Sequence, residues 1–161
     1  KLASEAAILC PSSVGQYSVS TYLDNFDWRL QIEEFQGMYR GRRDAMISAL
    51  GEFMPMCTWN VPAGGFYVWV GLPDGLDAKD MLPRAVTNLV AYVSGTAFYS
   101  GGSAGHDHVR LSFCYPEPAD IREGVRRLSE VVAQDLELVT LFGPSHTRPI
   151  EGVSAPAPDQ I

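Results

Sequence analysis

The sequence lacks the features that would place it in a membrane or on nucleic acid. No apolar run approaches the roughly 20 residues that a membrane-spanning helix needs. Its 12 basic residues are outnumbered by 19 acidic ones, for a net charge of −7. With no basic excess to attract phosphates, this composition is not that of a nucleic-acid-binding domain. We therefore expect partners other than lipid or nucleic acid.

Cysteine is also scarce, with three residues, Cys10, Cys57 and Cys114, that are far apart and form no CxxC pair. This spacing excludes a disulfide framework and a cysteine metal clip, and it predicts buried thiols in a reducing cytoplasm. The segment Lys1–Leu9 has no signal-peptide pattern. Since the sequence opens at Lys1 rather than at a methionine, we expect it to be a piece of a longer protein.

The first part of the chain has helical periodicity. Ser13 and Gln16 have the spacing of a capping box, which predicts a helix start. Apolar residues then recur at helical spacing from Trp28 to about Phe53, which predicts one long helix. Gly37 and Gly41 lie within it, and each costs about 1 kcal/mol relative to alanine. They indicate either close packing of a neighbouring backbone or a bend between two domains.

Strands and helices alternate in the second part. The pattern predicts strands over Phe66–Val70, Val90–Val93 and Val109–Phe113. Both faces of the first strand are apolar, so we expect it to be covered on both sides. Asp77 is a helix cap for a segment ending at Asn88, and Pro118 suits the first position of a final helix.

This order of elements predicts an α/β protein with a two-layer α+β arrangement, in which helices cover one small, mainly antiparallel sheet. From Gly143 to Ile161 the composition, rich in proline, alanine and serine, predicts a weakly structured tail.

Two motifs suggest chemistry but have simpler explanations. His106-Asp107-His108 would place both histidines on one face of a strand, as in a metal site, yet no third ligand is visible nearby. The glycine-rich segment Gly101–Gly105 could cradle a phosphate, but it carries no lysine and precedes a strand instead of a helix. For the histidine motif we favour the polar end of a loop, and for the glycine-rich segment a plain mobile loop. No G-x-S-x-G elbow occurs, and no cysteine has a histidine setting that would suggest a nucleophile.

Arg110 is the charged residue of the third predicted strand. The alternation of the strand places Arg110 and Ser112 on the face opposite Val109 and Leu111. From spacing alone, an ordinary solvent-facing arginine is favoured over a ligand-binding one.

Four segments of the chain together carry a family resemblance. Val90–Tyr99, VAYVSGTAFY, followed by His108–Phe113, HVRLSF, resembles the closing signature of the class I/II aminotransferases, a V-x-P-G-x-x-F segment before an h-R-L-x-F strand. Tyr39–Asp44 resembles its domain-linking helix, and Pro62–Trp69 resembles its P-x-G-G-x-F-x-W strand. The similarity covers roughly residues 12–141, and it is greatest to the aminoadipate and kynurenine aminotransferases and to the effector domains of MocR-type regulators.

The resemblance implies a role for three residues. Arg110 would grip the α-carboxylate of an amino-acid substrate, because the planar guanidinium matches a carboxylate with two parallel hydrogen bonds. Tyr67 and Phe98 would line the pocket for the substrate side chain, although ordinary packing explains them equally well. Ser94 stands where the family has proline.

The resemblance also implies an incomplete enzyme. The family's Schiff-base lysine is absent, since the only lysines are Lys1 and Lys79 and neither lies in a Ser-x-x-Lys setting. The chain would be the C-terminal part of a fold-type-I enzyme that uses pyridoxal 5'-phosphate. It would comprise large-domain helices (1–27), the small domain (28–142) and a tail (143–161). Alone it would be inactive and would not bind the cofactor covalently.

As part of the intact protein, the chain is expected to belong to a cytoplasmic, homodimeric aminotransferase that acts on an amino acid and a 2-oxo acid. Two alternatives stay open. One is the effector-binding domain of a GntR/MocR-type transcription regulator, for which an upstream basic winged-helix domain would decide. The other is a stand-alone binding or dimerisation module.

Overall fold

The structure, a computed structural model, describes residues 6–7 and 12–143. Its first helices are α1, Ser13–Asn25, and α2, Trp28–Phe53. The prediction that Ser13 caps this helix is wrong. Ser12 caps α1, because its hydroxyl accepts a hydrogen bond from the Gly15 amide. Cys10 and the predicted tail beyond Gly143 lie outside the described residues.

The predicted long helix is confirmed, and α2 continues without interruption through Gly37 and Gly41. A Cβ atom added at either glycine would meet no other atom within 4 Å. Within the described residues, close packing of a neighbouring backbone is therefore not the reason for these glycines. The chain divides into two compact units between Arg40 and Gly41, inside α2.

The second unit contains a four-stranded sheet. Its strands are β1, Thr58–Trp59; β2, Tyr67–Gly71; β3, Val93–Ser94; and β4, His108–Ser112. All three pairings are antiparallel, and the spatial order is β1-β2-β4-β3. The small antiparallel sheet is thus confirmed. β3 is shorter and begins later than predicted, and β1 was missed because two residues give no readable alternation.

Two helices complete the second unit, α3, Ala78–Thr87, and α4, Pro118–Phe142. Asp77 caps α3 as predicted, with its carboxylate accepting hydrogen bonds from the amides of Lys79 and Asp80. Pro118 begins α4, where the missing N–H of proline leaves no helical hydrogen bond unmade. No helix among the described residues is long and apolar enough to cross a membrane.

The core lies on one face of the sheet only. Val68 and Val70 of β2 and the neighbouring Val109 of β4 are 0–1% exposed. They share one core with residues of α2, α3 and α4, among them Leu50, Met81, Ile121, Val125, Leu128 and Val132. On the other face Tyr67 is 44% exposed, and Trp69 is only partly buried. The prediction that β2 is covered on both sides is therefore wrong for the described residues.

Candidate functional site

The uncovered face of the sheet carries the candidate site. The antiparallel register places Trp69 of β2 and Val93 of β3 directly opposite Arg110 of β4. Tyr67 lies opposite Ser112, one diagonal step from Arg110. Directly opposed residues of antiparallel strands project to the same side, so these side chains share one surface. The face predicted for Arg110 and Ser112 from strand alternation is confirmed.

The structure brings together Arg110, Tyr67 and Phe98, the three residues singled out from the sequence. The guanidinium carbon of Arg110 lies 4.1 Å from the ring centroid of Tyr67 and 4.9 Å from that of Phe98. Both distances are within the range of a cation–π contact. Phe98 ends a single 3₁₀ turn, Gly95–Phe98, that Ser94 caps by accepting a hydrogen bond from the Thr96 amide. Serine in place of the family's proline therefore supports this turn with a side-chain cap.

Arg110 differs from every other arginine between Gly41 and Gly143. That stretch holds seven arginines, and the other six form ion pairs with carboxylates: Arg42, Arg43, Arg84, Arg122, Arg126 and Arg127. Arg110 has no ion pair with any described residue, and its buried Nε atom has no hydrogen-bond partner among them. Its charge is thus uncompensated on a partly buried surface.

Two further residues, Trp69 and His108, extend this surface, a role that the sequence analysis gave to neither. The indole of Trp69 meets Phe98 edge to face, with ring centroids 5.4 Å apart. The imidazole of His108 stacks on the same indole, with ring centroids 5.4 Å apart and an angle of 20° between the ring planes. His108 Nδ1 lies 2.7 Å from the carboxylate of Asp107. This hydrogen bond is the main cause that lowers the pKa of Asp107 below its ordinary value.

Gly71 has no side chain and so leaves space for the side chain of His108. It lies opposite both Thr58 and His108 in the sheet. A Cβ atom at Gly71 would come within 2.5 Å of the Thr58 hydroxyl and 3.4 Å of His108 Nε2. Gly71, which follows the predicted strand Phe66–Val70, is therefore needed for cross-strand packing.

Within the predicted loop Gly101–Gly105, Gly105 makes close contacts with its surroundings. Gly105 has φ = +77°, and a Cβ atom there would lie 2.5 Å from the ring of Tyr99 and 2.8 Å from the backbone of Gly95. The residues Ser100–Gly102 form a 3₁₀ turn. Gly105 is therefore explained by its close approach to Tyr99 and to the backbone of Gly95, whereas a Cβ atom at Gly101 would meet no other atom within 4 Å.

The two histidines do not converge on a common point for a metal. His106 Nδ1 lies 2.7 Å from Asp77, and His108 bonds Asp107. Within residues 6–7 and 12–143 no group of three or more His, Cys, Asp or Glu is arranged to hold a metal ion. Both side chains thus have structural partners, and that of His106 lies 29 residues away in the chain, where the motif could not indicate it.

The described residues do not fit the needs of pyridoxal phosphate by themselves. A Schiff base requires a lysine in the site. Lys79, the one lysine among the described residues, is exposed in the first turn of α3, a helix of the buried-core layer. It is not on the sheet face that carries Arg110. No described lysine can hold the cofactor next to this arginine.

Comparisons with known proteins give a consistent result. The chain is 37% identical over 138 residues to aromatic-amino-acid aminotransferase 1 of Thermococcus litoralis, covering 85% of the chain and 33% of that protein. It is 36% identical over 110 residues to the 2-aminoadipate transaminase of Thermus thermophilus, covering 68% and 28%. An HTH-type transcriptional regulator of Bacillus subtilis, YdfD, is 23% identical over 124 residues, which cover 76% of the chain and 25% of the regulator. No family model matches the chain.

The solved structures agree with the sequence relatives. The kynurenine aminotransferase of Pyrococcus horikoshii superposes with a TM-score of 0.77 at 41% identity, covering 84% of this chain and 33% of that one. The multiple substrate aminotransferase of Thermococcus profundus superposes with a TM-score of 0.79 at 40% identity. The resemblance seen in the four sequence segments is thereby confirmed. The chain belongs to the fold-type-I pyridoxal-phosphate-dependent aminotransferases and spans about a third of the length of the relatives it matches.

Proposed function

We propose that this chain is the substrate-carboxylate-binding part of a pyridoxal-phosphate-dependent aminotransferase, and that Arg110 is the residue that binds the carboxylate. One observation carries the proposal. Among the seven arginines between Gly41 and Gly143, Arg110 is the one without a carboxylate partner in the described residues, and it lies on the uncovered face of the sheet. An uncompensated, partly desolvated guanidinium favours an anionic ligand.

The α-carboxylate is the group that all substrates of such an enzyme share. Binding it at Arg110 fixes the position of the adjoining α-carbon and amino group, so the arginine acts through orientation. The cofactor, held by the rest of a longer polypeptide, supplies the electron sink for the amino-group transfer. The substrates are then an amino acid and a 2-oxo acid, the complete protein is a cytoplasmic homodimer, and this chain alone is inactive.

The chain has three parts under this proposal. We assign residues 28–142 to the small domain, residues 1–27 to the last helices of the large domain, and residues 143–161 to a tail. Two of the relatives are named for aromatic amino acids and for 2-aminoadipate as substrates. These compounds differ in their side chains but share the α-carboxylate, which supports a site defined by that group.

A binding experiment on this chain tests the proposal. The Nε–H signals of its arginines are recorded by ¹H–¹⁵N NMR during titration with 3-phenylpropionate and, as an uncharged match, with 3-phenylpropanamide. We expect a saturable shift of the Arg110 signal with the acid alone, with a Kd on the order of millimolar, which corresponds to a single charge-assisted pair.

Two variants serve as matched controls for that titration. Arg122→Lys changes an exposed arginine that pairs with Glu52, and binding should persist. Arg110→Lys should abolish the saturable shift of the other signals around the site. An equal response to acid and amide, or shifts confined to other arginines, would contradict carboxylate binding at Arg110.

The second candidate function is effector binding in a transcription regulator. It rests on the similarity to the HTH-type regulator YdfD, which covers 76% of this chain. In such a protein Arg110 would bind the same carboxylate of an effector. A longer polypeptide containing this chain decides between the two: specific retardation of operator DNA, without turnover of an amino acid and a 2-oxo acid, would favour the regulator.

A further inference from the structure

The contacts of Arg110 raise the question of what orients its guanidinium. Arginines at binding sites are commonly held by hydrogen bonds that they donate to neighbouring carboxylates or carbonyls. Here the Nε atom is buried and has no hydrogen-bond partner among the described residues, and none of them forms an ion pair with the group. Its close neighbours are two aromatic rings, those of Tyr67 and Phe98.

We propose that Tyr67 and Phe98 are positioning residues for Arg110, and that cation–π contacts with their rings aim the guanidinium at the substrate carboxylate. The proposal rests on the carboxylate-binding role of Arg110 proposed above and deepens it. It also differs from the resemblance-based expectation, in which the two rings line the pocket of the substrate side chain.

Geometry supports an orienting role. The guanidinium carbon is 4.1 Å from the Tyr67 centroid and 4.9 Å from the Phe98 centroid, so both rings contact the charged group itself. An aromatic face attracts a cation without accepting a directed hydrogen bond from its N–H groups. The in-plane N–H donors of Arg110 therefore stay available for a substrate carboxylate. A carboxylate partner from the protein would occupy those donors.

The two rings are themselves held in place. Tyr67 belongs to β2, where its backbone pairs opposite Ser112. Phe98 closes a 3₁₀ turn whose cap is Ser94, and its ring contacts the indole of Trp69 at 5.4 Å. Because a strand and a capped turn hold the two rings in place, the rings can hold the flexible arginine side chain in one orientation. Each ring nevertheless remains 44–47% exposed, so substitution there leaves the core intact.

The test compares substrates in the complete enzyme that contains this chain. Tyr67→Leu and Phe98→Leu each remove a ring, Tyr67→Phe keeps one, and Tyr115→Leu removes an 86% exposed ring elsewhere as a control. kcat/KM is measured for alanine, for phenylalanine and for 1-aminopropane, which has no carboxylate.

We expect each ring-removing variant to lower kcat/KM by about 2- to 30-fold, the size of one cation–π contact. The loss should be equal for alanine and phenylalanine, because both use the same carboxylate, and absent for 1-aminopropane. Tyr67→Phe, which keeps a ring, should lose less activity than Tyr67→Leu, and Tyr115→Leu should behave like the parent enzyme. In the Arg110→Lys background, Tyr67→Leu should have a clearly smaller effect, since the residues act as one unit.

Two outcomes would overturn the proposal. A loss for phenylalanine that spares alanine would assign the rings to the side-chain pocket instead of to Arg110. Full additivity of Tyr67→Leu with Arg110→Lys would show that the ring does not act through the arginine. The proposed function has its own failure: if Arg110→Lys lowers the rates for amino acids and 1-aminopropane alike, carboxylate binding at Arg110 falls independently of the rings.

Discussion

His106 Nδ1 lies 2.7 Å from Oδ2 of Asp77, and this contact ties the segment before β4 to the first turn of α3. The carboxylate of Asp77 is 6% exposed and also accepts the amide hydrogen bonds of Lys79 and Asp80. The amide of Ala78 reinforces the connection by donating to the carbonyl of His106. One side chain thus caps a helix and anchors the chain segment that leads into the Arg110 strand.

Asp77→Ala should destabilise the fold by about 1–3 kcal/mol. It removes a helix cap, which costs about 1 kcal/mol, and it leaves partly buried hydrogen-bond donors without their acceptor. Asp77→Asn keeps a good cap and should cost less. Urea unfolding at neutral pH measures both free energies. Equal stability of Asp77→Ala and the parent chain would contradict this role.

The same pair gives a pH dependence of known sign. Burial raises the pKa of Asp77, but hydrogen bonds from Lys79, His106 and Asp80 outweigh it and leave the pKa below its ordinary value. The carboxylate therefore stabilises the fold above its unfolded pKa of about 4, and this contribution is lost as the pH falls through the lower folded pKa. The stability difference between the parent and Asp77→Asn should be constant above about pH 5 and shrink below about pH 4.

A buried carboxylate on α4 depends on a half-exposed arginine of α3. Arg84 Nη2 lies 2.5 Å from Oδ2 of Asp135, whose side chain is 5% exposed against 46% for Arg84. Arg84→Met should cost about 1–3 kcal/mol, less than for a fully buried pair because solvent reaches the site. Adding Asp135→Leu should restore most of that loss.

An exposed pair provides the control for this prediction. Arg122 and Glu52 are 46% and 49% exposed, and Arg122→Met should cost less than about 1 kcal/mol. Both arginine variants are compared by chemical denaturation. If Arg84→Met cost no more than Arg122→Met, the buried carboxylate would not depend on its cation.

Gly95 should tolerate no side chain. A Cβ atom there would collide with the carbonyl oxygen of Gly105 and lie 3.0 Å from His108. Gly95→Ala should therefore destabilise by about 1–3 kcal/mol, as forced overpacking does. The control is Gly51→Ala in α2, where no atom lies within 4 Å of the added Cβ, and it should stabilise by about 0.4–1 kcal/mol. Thermal unfolding measures the stability of both variants. If Gly95→Ala were as stable as Gly51→Ala, or more stable, this packing would be refuted.

The sequence correctly predicts the elements that a single local pattern determines. The long helix α2, the Asp77 cap and the Pro118 start follow from local patterns, and the structure has all three. The alternation of β4 also places Arg110 on the correct face. These features depend on residues close together in the chain, which is the information that periodicity and capping rules use.

The remainder depends on contacts between distant residues. Strand β1 is two residues long and exists through its pairing with β2. The stacking of His108 on Trp69 needs the sheet register, and the Gly95–Gly105 packing needs the turns between β3 and β4. Neither register nor close backbone approach is encoded in local composition, so the sequence around Gly105 predicts only a flexible loop.

Lys79 should not bind the cofactor covalently. It is exposed on α3 and lies outside the sheet face that carries Arg110. Incubating this chain with pyridoxal 5'-phosphate, reducing with borohydride and mapping the peptides should give no stoichiometric adduct. Lys79→Arg provides the matched background for nonspecific labelling. A stoichiometric adduct on Lys79 would contradict the assignment of the cofactor lysine to another part of the protein.

The most direct measurement of the central claim is the kinetics of Arg110→Lys in the complete enzyme. Losing one partner of a desolvated charge pair costs about 2–5 kcal/mol, so kcat/KM for amino acids should fall by roughly 30-fold to several thousand-fold. Rates with a simple amine should be the same for both forms, because it has no carboxylate. Undiminished activity toward amino acids, or an equal loss with the amine, would contradict the role of Arg110 as the residue that binds the substrate carboxylate.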